Sequence, residues 1–278
     1  MFKQGKARDC GITPIDPPKF PTSRLAPAAF RRHPRAPNRP PVAPELLLSR
    51  VGYGMPTMQL PFTRDEFFDL FAAYNGALWP AVIGLWVASL LAIVSVLSRR
   101  PPRDRWISGL LAVHWAWAAV AYHIAFFTRI NPAAWLFASI FLLQAALFLW
   151  LGAIRGRIAF TSSRTSWTVI GWLLVGFALL YPGINAVEHG TIVRIPTFGV
   201  PCPTTIFTVG LLLMSKPRTR ALAIVPIVWS GIGGSAALLF GVKADYALLL
   251  AGALLTVFEL QKSQTSSSAV PLHSAVER

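Results

Sequence analysis

Charge is scarce in this chain. Asp, Glu, Lys and Arg make up 13% of its 278 residues, about half the share usual in a soluble protein, which excludes an ordinary solvated surface over most of its length. Cysteine is scarcer still: Cys10 and Cys202 are the only two, with no CxxC and no Cys/His group at metal spacing, so neither a disulfide framework nor a thiolate metal knot can form. The sequence has no HExxH and no GxSxG, the short motifs that place a zinc-bound water or an exposed nucleophilic serine. Residues 1–57 hold no apolar core of the about 7 to 15 residues that a signal peptide needs, so membrane insertion is expected to be directed by the first long apolar segment.

Apolar sequence is what the chain has in abundance, at 54% of its residues. Seven apolar segments stand out: 76–98, 106–127, 132–154, 167–187, 204–215, 221–242 and 245–260. The first four and the sixth have 21 to 23 residues, enough to span a hydrocarbon core of about 30 Å. The fifth, with twelve residues, and the seventh, with sixteen, are short; the fifth makes only about 18 Å of helix. The fifth begins inside PTFGVPCPTTIF (196–207), where Pro196, Pro201 and Pro203 crowd together. The missing depth is expected to come from the proline segment itself dipping into the bundle, which bare backbone tolerates only when packed in protein or lining a wet cavity. The fold class is therefore all-α: a polytopic membrane helix bundle of about seven transmembrane helices, with a short, proline-broken fifth span and the lipid bilayer as its surroundings. The bundle occupies 58–260, between a Pro/Arg-rich extension (1–57) and a polar tail (261–278), both expected to be disordered from composition.

The net charge of +15 would point to nucleic acid in a soluble protein, but its distribution reports orientation instead. Ten of the 26 basic residues lie before Pro56. Among the loops, Arg99, Arg100, Arg103, Arg105, Arg155, Arg157, Arg164, Lys216, Arg218 and Arg220 fall on one side, and Arg129, Arg194 and Lys243 on the other. The positive-inside rule then puts the N-terminus outside and the C-terminus in the cytoplasm of a cell inner membrane. A tail with ten basic residues outside would break that rule, so translation is expected to start at Met58; the alternative is a basic arm for anionic lipid or nucleic acid. No nucleic-acid partner is expected, and no feature specifies an oligomer.

Local signals refine the helices. Thr63 and Glu66 form a capping box, and Phe62 and Phe67 a hydrophobic staple; the helix they begin either lies along the membrane surface or extends the first span. His114 and His123, nine residues apart, face opposite sides of a regular helix. Pro182 and Gly183 are expected to kink or end the fourth span. Small residues four apart on the sixth span, such as Ser230 with Gly234 and Gly231 with Ser235, admit a neighbouring helix.

Carried through the membrane, the segments bring one polar set to the outer side: His123, Arg129, Asn131, Glu188, His189, Cys202, Thr204 and Thr205. With Pro203 in a first helical position, free N–H groups around Thr204 and Thr205 would favour an anion, and Arg129 could add positive charge. The set reads either as a ligand-binding vestibule or as a capped plug. Neither catalytic residues, nor a metal site, nor a cofactor is expected. The leading functional expectation is a transporter or channel-like protein that binds a small, anionic solute outside. The alternatives are a structural or assembly subunit, and an embedded metal-dependent hydrolase. The last is disfavoured because the final span lacks a histidine pair.

Three stretches, YHIAFFTRINPAAWLFA (122–138), PTFGVPCPTTIFTVGLLL (196–213) and WSGIGGSAALLFGV (229–242), carry a resemblance that runs from about Met58 to Glu259. Over that length the chain resembles the uncharacterised bacterial multi-pass membrane proteins of family DUF6064. The resemblance implies an integral membrane protein of bacterial type and transfers no catalytic or binding role to any residue.

Overall fold

The computed structural model describes residues 61–98, 103–161, 163 and 165–267, with backbone alone over 262–267. The extension 1–57, the polar residues beyond Ser267, and Arg99, Arg100 and Arg164 of the basic loops lie outside the described residues.

Seven helices and one short strand pair make up the described chain: α1 (Arg64–Ser98), α2 (Arg103–Trp117), α3 (Ala134–Leu147), α4 (Ser166–His189), α5 (Pro201–Leu213), α6 (Arg220–Phe240) and α7 (Tyr246–Ser267), with β1 (Ala159–Phe160) against β2 (Ser215–Lys216). Six of the helical segments are long and apolar enough to cross a membrane, and α5 is the short one. Their outward faces are apolar, with Leu173, Leu180, Ile224 and Leu238 all more than half exposed, as helices solvated by hydrocarbon require.

α1 begins as its capping box predicts. The Thr63 N–H donates to Glu66 Oε2 at 2.7 Å and the Glu66 N–H to Thr63 Oγ1 at 3.3 Å, while the Phe62 and Phe67 rings lie 6.0 Å apart. It then runs 35 residues without a break, about 52 Å at 1.5 Å per residue. The extended-span reading therefore holds over the surface-helix one. α2 and α3 each end in a π-helical turn, Ala118–Ile124 and Phe148–Ile154. α4 does not stop at Pro182; it continues to His189 and ends on Gly190, whose φ of 64° is left-handed. α7 continues to Ser267, past the point where the polar tail was expected to begin, because Gln261, Lys262 and Gln264 propagate a helix readily.

α5 is the core of the bundle. Of its thirteen residues only Cys202 is not buried, and a short helix apolar on every side has to be enclosed. It runs back along α4 with its backbone nearly touching: a Cβ on Gly210 would lie 2.7 Å from the Gly171 carbonyl oxygen. Only paired glycines allow that approach. On the other flank, the small face of α6 meets α7. A Cβ on Gly233 would lie 2.8 Å from Leu248 and one on Gly252 3.0 Å from Ser230 Oγ, whereas Gly231 faces open space.

Candidate functional site: a cavity at the root of the buried helix

The chain enters the bundle between α4 and α5, as the short fifth segment requires. Ile195, Phe198 and Val200 are buried, and irregular backbone at that depth needs partners for its polar groups. Asn75 on α1 supplies them. Its Nδ2 donates to the carbonyls of Val193 and Ile195, both at 2.9 Å, and its Oδ1 accepts from Thr197 Oγ1 at 2.6 Å. Phe198 then lodges beside His114 and Phe207, at 5.5 and 5.8 Å between ring centroids. Gly199 turns the chain with φ of 88°, and a Cβ there would meet Leu85 and Tyr74 Oη at 2.9 Å. No other residue fits both the angle and the space.

α5 starts at Pro201, two residues earlier than Pro203 alone predicts, with Val200 as the N-cap. Two of the first three residues are prolines without an N–H, and the Thr204 N–H donates to the Val200 carbonyl at 3.4 Å. The donors expected to face an anion are therefore absent or used. The group that does meet this helix end is a carboxylate. Asp245, in the short turn Lys243–Asp245 before α7, is buried; it accepts from the Tyr181 hydroxyl of α4. That bond ties α4 to the root of α7, beside Cys202 at the start of α5.

Beside this junction lies a cavity of about 160 Å³. Its walls are aromatic, among them Phe67 and Phe71 from α1, Tyr122 and His123 from the π-helical turn after α2, and Trp229 and Phe240 from α6; Cys202 and Asp245 line it too. His123 is fully buried with neither ring nitrogen hydrogen-bonded, and the Trp229 indole N–H also lacks a partner. Its ring sits 4.9 Å from Phe141 and 5.3 Å from Trp229, measured between centroids. His114, on the opposite side as the nine-residue spacing predicts, is bonded inside the bundle: its Nε2 lies 3.0 Å from Ser89 Oγ.

The eight polar residues marked in the sequence are divided by the fold. His123, Asn131 and Cys202 reach the cavity, with Asn131 Oδ1 accepting from the Ala133 N–H at 3.0 Å. Thr205 turns inward to its own helix, its Oγ1 donating to the Pro201 carbonyl at 2.8 Å, and Thr204 is buried outside the cavity wall with its hydroxyl unpartnered. Arg129 is exposed and lies 4.8 Å from the centroid of the Phe126 ring. Glu188 pairs with Lys243 at 3.7 Å. His189 lies 5.1 Å from Phe68, the rings tilted at 58°, in a separate recess with Arg64, Asp65 and Arg194. Among the described residues no three of His, Cys, Asp and Glu converge as metal ligands. The family of unknown function DUF6064 matches residues 64–269, a stretch that holds every described lining residue of this cavity except Phe62. The chain belongs to DUF6064. No curated protein and no solved structure matches it. Since the family's description names no activity, the chemistry of this DUF6064 chain is argued from the cavity alone.

Asp245, Trp229 and Asn75 were missed by the sequence reading. A carboxylate opening an apolar segment is costly enough in a membrane to mark a site by default, and that signal alone would have found Asp245. Nothing local marks Asn75, whose partners lie 118 and 120 residues away.

Proposed function

We propose that this DUF6064 chain is a multi-pass inner-membrane protein, N-terminus outside and C-terminus cytoplasmic, that takes a small solute into the cavity at the root of α5 as a carrier or channel-like protein. His123 carries the proposal. A fully buried imidazole with both nitrogens unpaired costs roughly 1 to 3 kcal/mol relative to a bonded one, and a wall of a cavity is where a solute can supply the missing partners. A broken, protein-packed segment leading into the cavity is the architecture in which membrane carriers place their sites. The distribution of Lys and Arg among the loops supports the orientation. The anionic solute expected from the sequence is not retained, since the described cavity wall has Asp245 and neither Lys nor Arg.

The experiment is thiol labelling of Cys202 in intact cells, in a Cys10→Ser variant, with a membrane-impermeant reagent. Labelling from outside, slowed by a solute and no longer slowed in His123→Phe, is the expected result. Labelling only after permeabilisation would invert the orientation. A Cys202 that no reagent reaches in either state would replace the carrier by the structural, plugged bundle.

A further inference from the structure

We infer that the solute taken by this cavity is a small organic cation, an alkylammonium about the size of a benzene ring. The inference rests on reading the cavity as a solute site and adds the chemical class. Three observations carry it. The first is charge. Among the described lining residues Asp245 is the one carboxylate, with no Lys or Arg opposite it. Arg129, the positive charge weighed for this site in the sequence, is exposed and lies over Phe126. The cavity is thus neutral or negative and has nothing to pair with an anion.

The second is the nature of the wall. Aromatic faces are negative at their centres and attract a cation held within about 6 Å, most strongly where water is excluded. Rings come from three separate segments: Phe67 and Phe71 from α1, Tyr122 and Phe127 from the turns that follow α2, Trp229 and Phe240 from α6. The rings pack on one another, Phe67 with Phe240 at 4.8 Å and Tyr122 with Phe127 at 5.6 Å between centroids. They are therefore held as a cage before any solute arrives, which lowers the cost of binding.

The third is the hydrogen-bond inventory. A carboxylate offers about four lone-pair positions. Tyr181 occupies one of those on Asp245. The remainder, with an acceptor nitrogen on neutral His123, suit the N–H groups of an ammonium. The size follows from the volume of about 160 Å³, close to the roughly 150 Å³ cavity that accommodates benzene in an engineered core.

The test uses the full-length Cys10→Ser protein in lipid nanodiscs at pH 7 and three probes of one shape: tert-butylammonium, tert-butanol and pivalate. Two readouts are followed, protection of Cys202 from a thiol reagent and the shift in unfolding temperature. We expect tert-butylammonium to protect at a concentration at least tenfold below tert-butanol, and pivalate to give no protection. Asp245→Asn should bring the cation and the alcohol within about twofold of each other. Because Asp245 also anchors Tyr181, Phe67→Leu provides a second variant, which should weaken the cation at least threefold and the alcohol less. Protection by pivalate or tert-butanol equal to that by the cation would overturn the cationic class and leave the solute cavity standing. Free labelling with no protection by any of the three would also overturn it. A Cys202 that does not label at all would sink the solute reading itself.

Discussion

At its C-terminal end α5 runs into a clasp, and at its N-terminal end into a cavity. Past Leu213 the backbone pairs with β1 through Ala159 opposite Lys216 and Phe160 opposite Ser215, and the Thr161 N–H donates to the Met214 carbonyl at 2.9 Å. Arg103 Nη2 donates to the Phe160 carbonyl at 2.8 Å, and the Phe160 N–H donates to Asp104 Oδ1 at 2.9 Å. Arg218 Nη1 reaches the Phe258 carbonyl at 2.6 Å. The opposite end leaves His123 and the Trp229 indole buried and unbonded beside empty space. One helix therefore has an end that spends its polar groups on the fold and an end that holds some in reserve. Burial without a partner is a cost in stability, so the second end is where function is to be sought.

Substitutions can break or sharpen that contrast. The largest effect is expected between the two ends, where α4 and α5 touch: Gly210→Leu would drive a side chain into the Gly171 carbonyl and Val175, costing about 3 kcal/mol. It should be read as loss of the monodisperse peak in size exclusion. At the clasp, Asp104→Ala removes the acceptor of the Phe160 N–H and the partner of Arg103, 3.3 Å away. A loss of about 1 to 2 kcal/mol is expected, seen as a lower unfolding temperature; a neutral result would show that the strand pair is closed by its backbone bonds alone. At the cavity the sign reverses. His123→Phe removes two unbonded nitrogens from an aromatic pocket and is expected to leave stability unchanged or raise it by about 1 kcal/mol, while abolishing solute protection of Cys202. A clear drop in unfolding temperature would mean His123 is a structural histidine like His114, and the contrast between the ends would fall. The smallest effect is expected from Thr63→Ala, which opens the capping box of α1 at a cost of about 0.5 to 1 kcal/mol, measured by hydrogen exchange in the first turn.

The two ends also differ in how far they could be read in advance. The short fifth helix, the descent of the proline segment, the capping box and the close approach of α6 to a neighbour were all legible, because each follows from length, from proline's missing N–H or from the spacing of small residues. The cavity was legible only in part. His123, Asn131 and Cys202 belong to it, while Arg129 and Thr205 point elsewhere. In a soluble helix the apolar stripe says which way the helix is turned. Here Leu173 and Leu180 face outward and Leu174 inward on the same helix, so the pattern of apolar residues does not set the rotation of α4. The π-helical turn Ala118–Ile124 adds a second displacement that no local residue signals.

By itself the sequence determined that this is an all-helical chain of seven apolar segments, five of them plainly long enough to cross a membrane and the fifth too short to do so, since those properties depend on runs of apolar residues and on prolines; that the last segment is also long enough, over Lys243–Gln261, came from the structure. Only the tertiary structure decided that Asp245, Tyr181 and Cys202 meet, and that Asn75 holds the descending chain. Only there does the helix end read as an anion site receive a carboxylate instead. The physical reason is range. A hydrogen bond such as that from Tyr181 to Asp245, 64 residues apart, depends on how whole helices rotate and slide against one another, and nothing written along either helix records it.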